Sequence, residues 1–306
     1  VEAEVVIVGV GGIVGSMLAY WLTELGQKNI VGLEKSSVIP SDIASTAHAS
    51  DFVYNTTHDK LGCWTTDFSR RFYEDNGFFL KKGGLEICRK DDDARWEELK
   101  RKVSSGKAFG TNVSLISAAE AKEKFPLLDE ESIRGAMWDP DAGLVTPRSQ
   151  DVVSFAVETA KDKGALRTFT DTPAVDFEVE NDRIVGVKTD KGTIKTNKVV
   201  IASGIWGPLM GKKAGVPVPL MPLEHPLLFF GPLPEAQGAE DFLVYPLLRD
   251  QGNSAYVRDT GRLHGGMLEW GFYEDINPRL VDPEDIGNPE KTMGSDSMRY
   301  LDLEEV

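Results

Sequence analysis

The sequence predicts an α/β (α+β) protein in which a parallel sheet with helices is joined to a second, mainly antiparallel part. Near the N-terminus, an apolar run, a glycine-rich turn and a helix of apolar periodicity lead into a second apolar run. Later, short β-branched segments alternate with turn residues and pass into a proline-rich region. The first pattern is typical of parallel β-α-β units, and the second is typical of antiparallel hairpins.

The first element pair begins with the apolar run at residues 5–8, which predicts a buried parallel strand. A helix is predicted from Ser16 to Leu25, because Met17, Trp21 and Leu25 recur every four residues before a stop at Gly26. The apolar run at residues 30–33 predicts a second strand. The turn before the helix contains four glycines, which are Gly9, Gly11, Gly12 and Gly15.

This arrangement indicates a dinucleotide site, because glycines let the backbone approach a pyrophosphate and a helix N-terminus supplies N–H donors. Glu34 follows the second strand, where a carboxylate can accept from a ribose hydroxyl, which favours a ribose without a 2′-phosphate. The glycine register departs from G-x-G-x-x-G by one residue. Gly9 and Gly11 would place Val14 sixth, whereas Gly12 and Gly15 would place Val10 first. The alternative is a glycine-rich turn of another α/β fold.

Further helices are predicted over residues 59–77, 92–102 and 150–163, and a capping box at Ser117–Glu120 opens a short one. The first of these has aromatic and aliphatic residues at helical spacing, which are expected in the core: Leu61, Trp64, Phe68, Phe72 and Tyr73. Strands are predicted over 174–180, 183–189 and 192–196, joined by short turns, and then over 198–204. A helix from Trp206 to Gly215 and strands over 226–230 and 255–258 follow. The acidic end, with Pro278, Pro283 and Pro289, is predicted as a loop.

Composition excludes several classes of protein. Acidic residues outnumber basic ones by 49 to 34, and the net charge of −15 argues against nucleic acid or an anionic membrane surface as a partner. No apolar run is long enough for a membrane span, and no basic n-region of a signal peptide is visible. The cysteines, Cys63 and Cys88, are far apart, so a disulfide framework is not expected, and neither they nor the histidines show metal-ligand spacing. A reducing, cytoplasmic location is expected, or the mitochondrial matrix in a eukaryote.

Seven segments together carry a family resemblance. They are the N-terminal strand–glycine–helix, Ser-Thr-Ala-His-Ala at 45–49, Lys-Gly-Gly-Leu-Glu at 82–86, Pro-Leu-Leu-Asp at 126–129, Pro-Asp-Ala-Gly-Leu at 140–144, residues 199–207 and residues 219–225. In this order and spacing the chain resembles the flavin amine oxidoreductases of the D-amino-acid-oxidase superfamily. The nearest subgroup is that of dimethylglycine oxidase and the dimethylglycine and sarcosine dehydrogenases.

The resemblance implies FAD and two discontinuous domains. Residues 1–80 and 141–215 would form a Rossmann-like FAD-binding domain, and 81–140 and 216–306 a substrate domain built on a mainly antiparallel sheet. The family's flavin domain continues beyond the point where this chain ends, so the chain is expected to be a portion of one and could be inactive alone.

The implied cofactor-binding residues come from four stretches of the chain. They are Gly9, Gly11, Gly12, Gly15, Glu34, Lys35, Ser45, Thr46, His48, Ala202, Gly204 and Trp206. Relatives carry FAD on the histidine of the Ser-Thr-x-His-Ala segment, which implies a covalent link at His48. Those relatives usually continue with Pro-Gly, where this chain has Ser50-Asp51.

The resemblance also implies the chemistry. An N-methylated glycine must lose its amine proton before hydride leaves the methyl carbon for flavin N5 to give an iminium. His225 would take that proton, since histidine titrates in the right range, and Tyr256 would orient it. Arg258 would bind the carboxylate of the zwitterionic substrate through a two-pronged contact. The electron acceptor would be oxygen or an electron-transfer flavoprotein.

Three alternatives remain open at this stage. Another member of the superfamily would act on an amino acid or on glycerol 3-phosphate. An NAD(P)-dependent dehydrogenase would use the same dinucleotide unit, although the long loop over 36–49 and the late strand over 199–204 favour flavin. A non-catalytic fragment or scaffold would bind flavin without catalysing a reaction.

Overall fold

The structure is a computed structural model in which residues 1–223, 225, 227–272 and 280–286 are described. Their strands are β1 (Val5–Val8), β2 (Ile30–Leu33), β3 (Phe52–Val53), β4 (Phe79–Lys81), β5 (Gly84–Arg89), β6 (Ser114–Ser117), β7 (Ile133–Asp139), β8 (Gly143–Val145), β9 (Leu166–Phe169), β10 (Ala174–Glu180), β11 (Arg183–Thr189), β12 (Gly192–Lys195), β13 (Val199–Ile201), β14 (Leu227–Phe230), β15 (Leu247–Asp250), β16 (Ala255–Asp259) and β17 (Leu268–Phe272). Their α-helices are α1 (Ile13–Glu24), α2 (Lys60–Asp75), α3 (Asp93–Ala108), α4 (Ala118–Lys124), α5 (Ser149–Asp162) and α6 (Gly207–Lys213). Most of the predicted C-terminal loop, including Pro278 and Pro289, lies outside the described residues.

The chain divides into two compact units. Unit 1 is formed by the described residues within 1–50, 148–224 and 279–306, and unit 2 by those within 51–147 and 225–278. This division differs from the predicted domain boundaries. Residues 51–80 belong to unit 2 because β3 and β4 both pair with β8. Residues up to 224 belong to unit 1, where Leu223 forms a bridge with Leu280. The extent of each functional domain stays a prediction.

Unit 1 is built on a parallel sheet with the strand order β13-β1-β2-β9. Strands β1 and β2 are buried along their whole length, as the continuous apolar runs predict. The pairing of Val8 with Ile201 brings the end of β13 beside the glycine turn. Sequence analysis missed β9, because this edge strand is short and Arg167 within it is exposed.

Two apolar layers cover this sheet. On one face, Val5 and Ile7 pack with α1 and α5. On the other, Val6 and Val8 pack against the antiparallel sheet β10-β11-β12 and Met210 of α6. The three antiparallel strands form where their turn chemistry predicts them, and the predicted C-terminal helix starts as a 3₁₀ turn, Gly204–Trp206, before α6.

Unit 2 contains a seven-stranded sheet of order β14-β17-β16-β15-β5-β7-β6, with a smaller sheet β3-β8-β4. Every neighbouring pair in the large sheet is antiparallel except β15 with β5. The combination of a parallel sheet in unit 1 and a mainly antiparallel sheet in unit 2 confirms the predicted fold class.

Helix α2 departs from expectation. It begins at an N-cap, Asp59, whose carboxylate accepts from the Gly62 N–H at 2.8 Å. Its apolar stripe was predicted to be core, but Leu61, Trp64 and Phe68 are 68%, 59% and 46% exposed. The aromatic spacing therefore identified the helix correctly and its buried face wrongly, because periodicity shows which residues share a face and not what covers it.

Candidate active site

In the glycine turn of unit 1, each glycine meets a different structural requirement. Gly9 adopts a φ of +95°, and a Cβ there would lie 2.5 Å from the Ala202 carbonyl oxygen. A Cβ on Gly15 would lie 2.1 Å from the Gly9 carbonyl oxygen, so α1 packs directly on the turn. Gly12 is the N-cap of α1, and the nearest atom to a Cβ there is Thr46 Oγ1 at 3.7 Å. Gly9 thus makes the turn, Gly12 leaves room for a ligand and Gly15 lets the helix pack. This spacing accounts for the additional residue in the motif.

Glu34 lies at the end of β2 and is 5% exposed. Its Oε2 accepts from the Gly11 N–H at 2.9 Å, and its Oε1 accepts from the Ser36 N–H at 2.9 Å. Gly11 is a glycine because a Cβ would lie 2.5 Å from Glu34 Oε2. The carboxylate is therefore held beside the turn, and each oxygen keeps a lone pair for a hydroxyl donor.

The His48 segment lies against the start of α1. Ser45–His48 is a 3₁₀ turn with His48 exposed at its end. Thr46 Oγ1 accepts from the Ile13 N–H at 3.0 Å, which joins the segment to the first turn of the helix. Arg148 Nη2 donates to the carbonyls of Ala47 at 3.4 Å and Ala49 at 2.9 Å, one on each side of His48. Sequence analysis missed Arg148, since an arginine before a helix carries no motif.

The end of β13 completes this cluster. Ala202 lies against Gly9, and Gly204 adopts a φ of +51° with no atom within 4 Å of a Cβ placed there. The exposed Lys35 extends its ammonium over the Trp206 ring at 4.8 Å from the centroid. Unit 1 therefore brings together all the predicted cofactor-binding stretches.

These residues fit an adenine dinucleotide. An open helix N-terminus suits a pyrophosphate, and a buried carboxylate at the end of β2 suits a ribose hydroxyl.

Within the described residues, no group of three or more His, Cys, Asp or Glu could hold a metal ion. No helix there combines the length and apolar character that a membrane span needs.

Loss of the Arg148 guanidinium should loosen the His48 segment selectively. For Arg148→Met, we expect amide hydrogen exchange over 45–49 to become roughly 10- to 100-fold faster, since hydrogen bonds from charged donors contribute about 1.5–3 kcal/mol. Arg167→Met is the matched control, because Arg167 Nη2 bonds the Glu2 carbonyl at 2.8 Å, away from this segment. Equal exchange rates over 45–49 in wild type and Arg148→Met would contradict this function of Arg148.

In unit 2, Tyr256 lies on β16 and His225 lies just before β14, the two strands that flank β17 in the large sheet. Tyr256 on β16 is the register partner of Gly271 on β17. A Cβ on Gly271 would lie 2.0 Å from Tyr256 Cζ and 2.2 Å from its hydroxyl oxygen, so the ring lies across β17. Gly271 pairs in turn with Leu227 on β14. Gly271 was not predicted from the sequence. Because it has no side chain, the Tyr256 ring can lie across β17 with its hydroxyl directed towards β14.

His225 lies just before β14 and is exposed. Its Nδ1 is 3.2 Å from the Phe272 carbonyl oxygen. If Nδ1 carries the proton, this contact leaves Nε2 as the basic nitrogen. His225 and Tyr256 therefore lie at the same end of the large sheet, with β17 between them.

The prediction for Arg258 requires a correction. It was predicted to bind a substrate carboxylate, but it is 1% exposed, and its Nη2 lies 2.6 Å from Glu269 Oε2 on β17. The two residues are register partners on one face of the sheet. Because Glu269 already neutralises the guanidinium, Arg258 is an internal structural cation.

A cleft on the same sheet face was also missed. It has a volume of about 370 Å³ and its lining includes Phe52, Tyr54 and Arg249. The Arg249 guanidinium stacks on the Tyr54 ring at 4.0 Å, and the Phe52 and Tyr256 rings are 5.2 Å apart. The sequence offered little indication of this cleft, because Phe52 and Tyr54 lie nearly two hundred positions from Arg249 along the chain.

A buried acid and a tyrosine hydroxyl lie in or beside the cleft. Asp139 is fully buried and accepts from the Asn55 N–H at 2.9 Å and the Asp141 N–H at 3.1 Å. Burial raises the pKa of Asp139, and these hydrogen bonds oppose that shift. Burial, with the negative charge of Asp51, also raises the pKa of Tyr73 above its ordinary value, so its hydroxyl stays protonated.

A family described as FAD dependent oxidoreductase (DAO) matches residues 4–293, nearly the whole chain. The chain belongs to this family. FAD is therefore its cofactor, and the alternative of an NAD(P)-dependent dehydrogenase is wrong. Membership also confirms the resemblance stated from the sequence motifs.

Individual relatives are similar over most of this chain. Human mitochondrial sarcosine dehydrogenase is 30% identical over 294 residues, covering 90% of this chain and 29% of the relative. Rat mitochondrial dimethylglycine dehydrogenase is 29% identical over 280 residues, covering 89% and 31%. The solved L-proline dehydrogenase from P. horikoshii aligns with a TM-score of 0.78 and 28% identity, covering 92% of this chain and 71% of that one. The chain thus spans about a third of the length of the two dehydrogenases.

Proposed function

We propose that this chain is the catalytic portion of a flavoenzyme that oxidises an N-methylated glycine, dimethylglycine or sarcosine, at its CH–NH group. The observation that carries the proposal is the position of His225 and Tyr256 at one end of the large sheet, on either side of β17, with Gly271 directing the tyrosine. The relatives support it, because sarcosine and dimethylglycine are both small amines with a carboxylate.

In this proposal, the residues that remove the ammonium proton and orient the amine belong to unit 2. The Phe272 carbonyl holds the His225 ring, and His225 Nε2 takes the ammonium proton, so that the amine nitrogen regains its lone pair. Tyr256 orients the amine through its hydroxyl. FAD, when bound, would supply the acceptor for the hydride of the methyl carbon. The substrate thereby loses one proton and one hydride and leaves as an iminium.

Unit 1 would hold the cofactor. Gly12 and the N-terminus of α1 would receive the pyrophosphate, and Glu34 the ribose. The residues that remain proposed contacts are Gly9, Gly11, Gly15, Lys35, Ser45, Thr46, Ala202, Gly204 and Trp206. We further propose that His48 carries the flavin covalently, since it is exposed on a segment fixed on both sides by Arg148.

Substitution of the two proposed catalytic residues tests the function. His225→Gln should lower turnover of dimethylglycine or sarcosine by about 10²–10⁴-fold, the usual contribution of general acid–base catalysis. Tyr256→Phe should also lower turnover, because the hydroxyl that orients the amine is lost. Flavin content should not change, since neither residue belongs to unit 1. His264→Gln is the control, because this exposed histidine of unit 2 contacts the Phe229 ring at 5.6 Å. An unchanged rate of flavin reduction in His225→Gln would exclude the mechanism.

A second candidate substrate is L-proline, favoured by the structural similarity to a proline dehydrogenase. Flavin bleaching by sarcosine, dimethylglycine and L-proline, measured anaerobically, separates the two. Reoxidation by air would identify oxygen as the electron acceptor, and its absence would favour an electron-transfer flavoprotein. Bleaching by none of the three would favour a non-catalytic flavin-binding chain. The cytoplasmic or mitochondrial-matrix location stays a prediction.

A further inference from the structure

We infer that one face of α2, formed by Thr66, Ser69 and Tyr73, binds hydroxyl groups on the N-substituent of the amine substrate. We call these three residues the hydroxyl strip. The amine class of the ligand rests on the proposed function, whereas the strip itself rests on the geometry of unit 2. The inference extends the proposed substrates from methylated glycines to glycines that carry a hydroxyalkyl group on nitrogen.

The hydroxyl strip occupies one side of α2, because its residues lie three and four positions apart, at 66, 69 and 73. All three residues line the cleft of unit 2. The exposed apolar residues of the same helix, Leu61, Trp64 and Phe68, have the same spacing. Since 3.6 residues make one turn, the two sets lie on opposite sides of the helix.

This orientation of α2 is the reverse of the one that burial of apolar surface favours. A surface helix usually turns its apolar stripe towards the core and its polar side towards solvent. In α2 the half-buried side that faces the cleft carries the hydroxyl strip, while Trp64 and Phe68 on the other side are 59% and 46% exposed. Departures from such local rules are expected at functional sites, so the inward hydroxyls indicate a function in binding.

The hydroxyls of the strip retain their hydrogen-bonding capacity for a ligand. Within the part of the chain that the structure describes, none of the three makes a hydrogen bond to the protein. Other hydroxyls of the cleft differ, because Thr65 Oγ1 donates to the Gly62 carbonyl at 3.1 Å and Thr57 Oγ1 donates to the Asp59 carbonyl at 3.0 Å. Each hydroxyl of the strip can donate and accept, which matches an alcohol group of a ligand.

The hydroxyl strip is electrically neutral, which favours an alcohol over an ion. Burial, with the negative charge of Asp51, raises the pKa of Tyr73, so its phenol stays protonated. Arg70, the cation next to the strip on α2, lies 2.8 Å from Asp67 Oδ1 and 2.5 Å from Glu74 Oε2. The charge of Arg70 is therefore neutralised within the helix.

The cleft has the position and the size for a longer N-substituent. Phe52 lines it, and the Phe52 ring lies 5.2 Å from the ring of Tyr256, which is proposed to orient the amine. The cleft volume of about 370 Å³ lies within the range of about 300–1,000 Å³ that is typical of sites for drug-sized ligands. Dimethylglycine is smaller than such ligands, so the remaining volume suits a substituent that extends from the amine to the strip.

Two ligands that differ in one group test the inference by binding alone. N-hydroxyethylglycine and N-propylglycine, which has a methyl group in place of the hydroxyl, are titrated by calorimetry into the FAD-loaded protein. We expect wild type to bind the hydroxyethyl compound at least about fivefold more tightly. In Thr66→Val/Ser69→Ala this preference should fall to about twofold or less, since each lost hydrogen bond corresponds to a factor of about 2–10 in Kd.

Two further variants control for an effect on the helix itself. Thr66→Ser/Ser69→Thr keeps both hydroxyls and should keep the preference of wild type. Ser104→Ala removes an exposed hydroxyl from α3, away from the lining of the cleft, and should leave both affinities unchanged.

The outcomes separate this inference from the proposed function. Equal affinity of wild type for the two ligands, binding of neither, or a preference unchanged in Thr66→Val/Ser69→Ala overturns the inference, even if sarcosine oxidation depends on His225. A preference that depends on the strip, in a protein that oxidises no amine, supports the inference and overturns the proposed function. If the double variant does not fold, Tyr73→Phe decides: an unchanged preference overturns the strip, and a reduced one supports it.

Discussion

Glu269→Leu is expected to lower the free energy of unfolding by about 3–5 kcal/mol, because it leaves a guanidinium buried without its counter-charge. Arg258 and Glu269 are 1% and 2% exposed, so neither can be rehydrated in place. Urea unfolding monitored by tryptophan fluorescence measures the loss, since Trp270 on β17 follows Glu269 directly.

Two companion variants test the cause of this loss. The double variant Arg258→Met/Glu269→Leu removes both charges and should recover most of the stability, since a buried pair replaced by apolar residues is often neutral. Glu131→Leu breaks the exposed pair with Lys90, in which the side chains are 85% and 55% exposed, and should change stability by about 1 kcal/mol or less. A Glu269→Leu variant as stable as Glu131→Leu would contradict a stabilising buried pair.

Gly15→Ala is expected to lower FAD incorporation by about tenfold or more, since relieving the added contact costs about 1–3 kcal/mol. The new Cβ would lie 2.1 Å from the Gly9 carbonyl, and backbone atoms cannot rotate away as a side chain does. Helix α1 or the turn must therefore shift, which displaces the N–H groups proposed to receive the pyrophosphate. Flavin content per chain after gel filtration is the measurement.

Gly207→Ala is the control for this prediction. Gly207 begins α6, its φ is −51°, and a Cβ there would meet only Leu220 Cδ1 at 3.9 Å. The variant adds the same methyl group to unit 1 without a clash, so flavin content should remain that of wild type. Full flavin content in Gly15→Ala would show that the turn tolerates the shift and would exclude this function of Gly15.

Local sequence was sufficient for much of unit 1. The order of an apolar run, glycines, helix and second run is dictated by nearest neighbours along the chain, and β1, α1 and β2 form where that order predicts. The turn residues 181–182 and 190–192 likewise predicted the three antiparallel strands. Strand β9 was not predictable in the same way, because its identity depends on pairing with β2 and not on its own composition.

The candidate site of unit 2 depended on contacts that composition does not encode. Arg258 was predicted to bind the carboxylate because a guanidinium can make a two-pronged contact, but cross-strand register gives it Glu269 as a partner. The same register places Arg249 opposite Tyr256. The acid that pairs with Arg258 lies on another strand, so the segment around Arg258 alone could not reveal it.

The discontinuity of both units determines the order in which the chain can fold during synthesis. Strand β1 leaves the ribosome long before its neighbour β13, with which it pairs Val6 to Val199. At a translation rate of about 5–20 residues per second, β1 waits roughly ten seconds or longer for that partner. During this interval the apolar run of β1 has β2 as a neighbour but lacks its native neighbour β13. Until residue 201 has left the ribosome, the β13-side edge of β1 therefore lacks its native partner, and such an edge can pair with another chain.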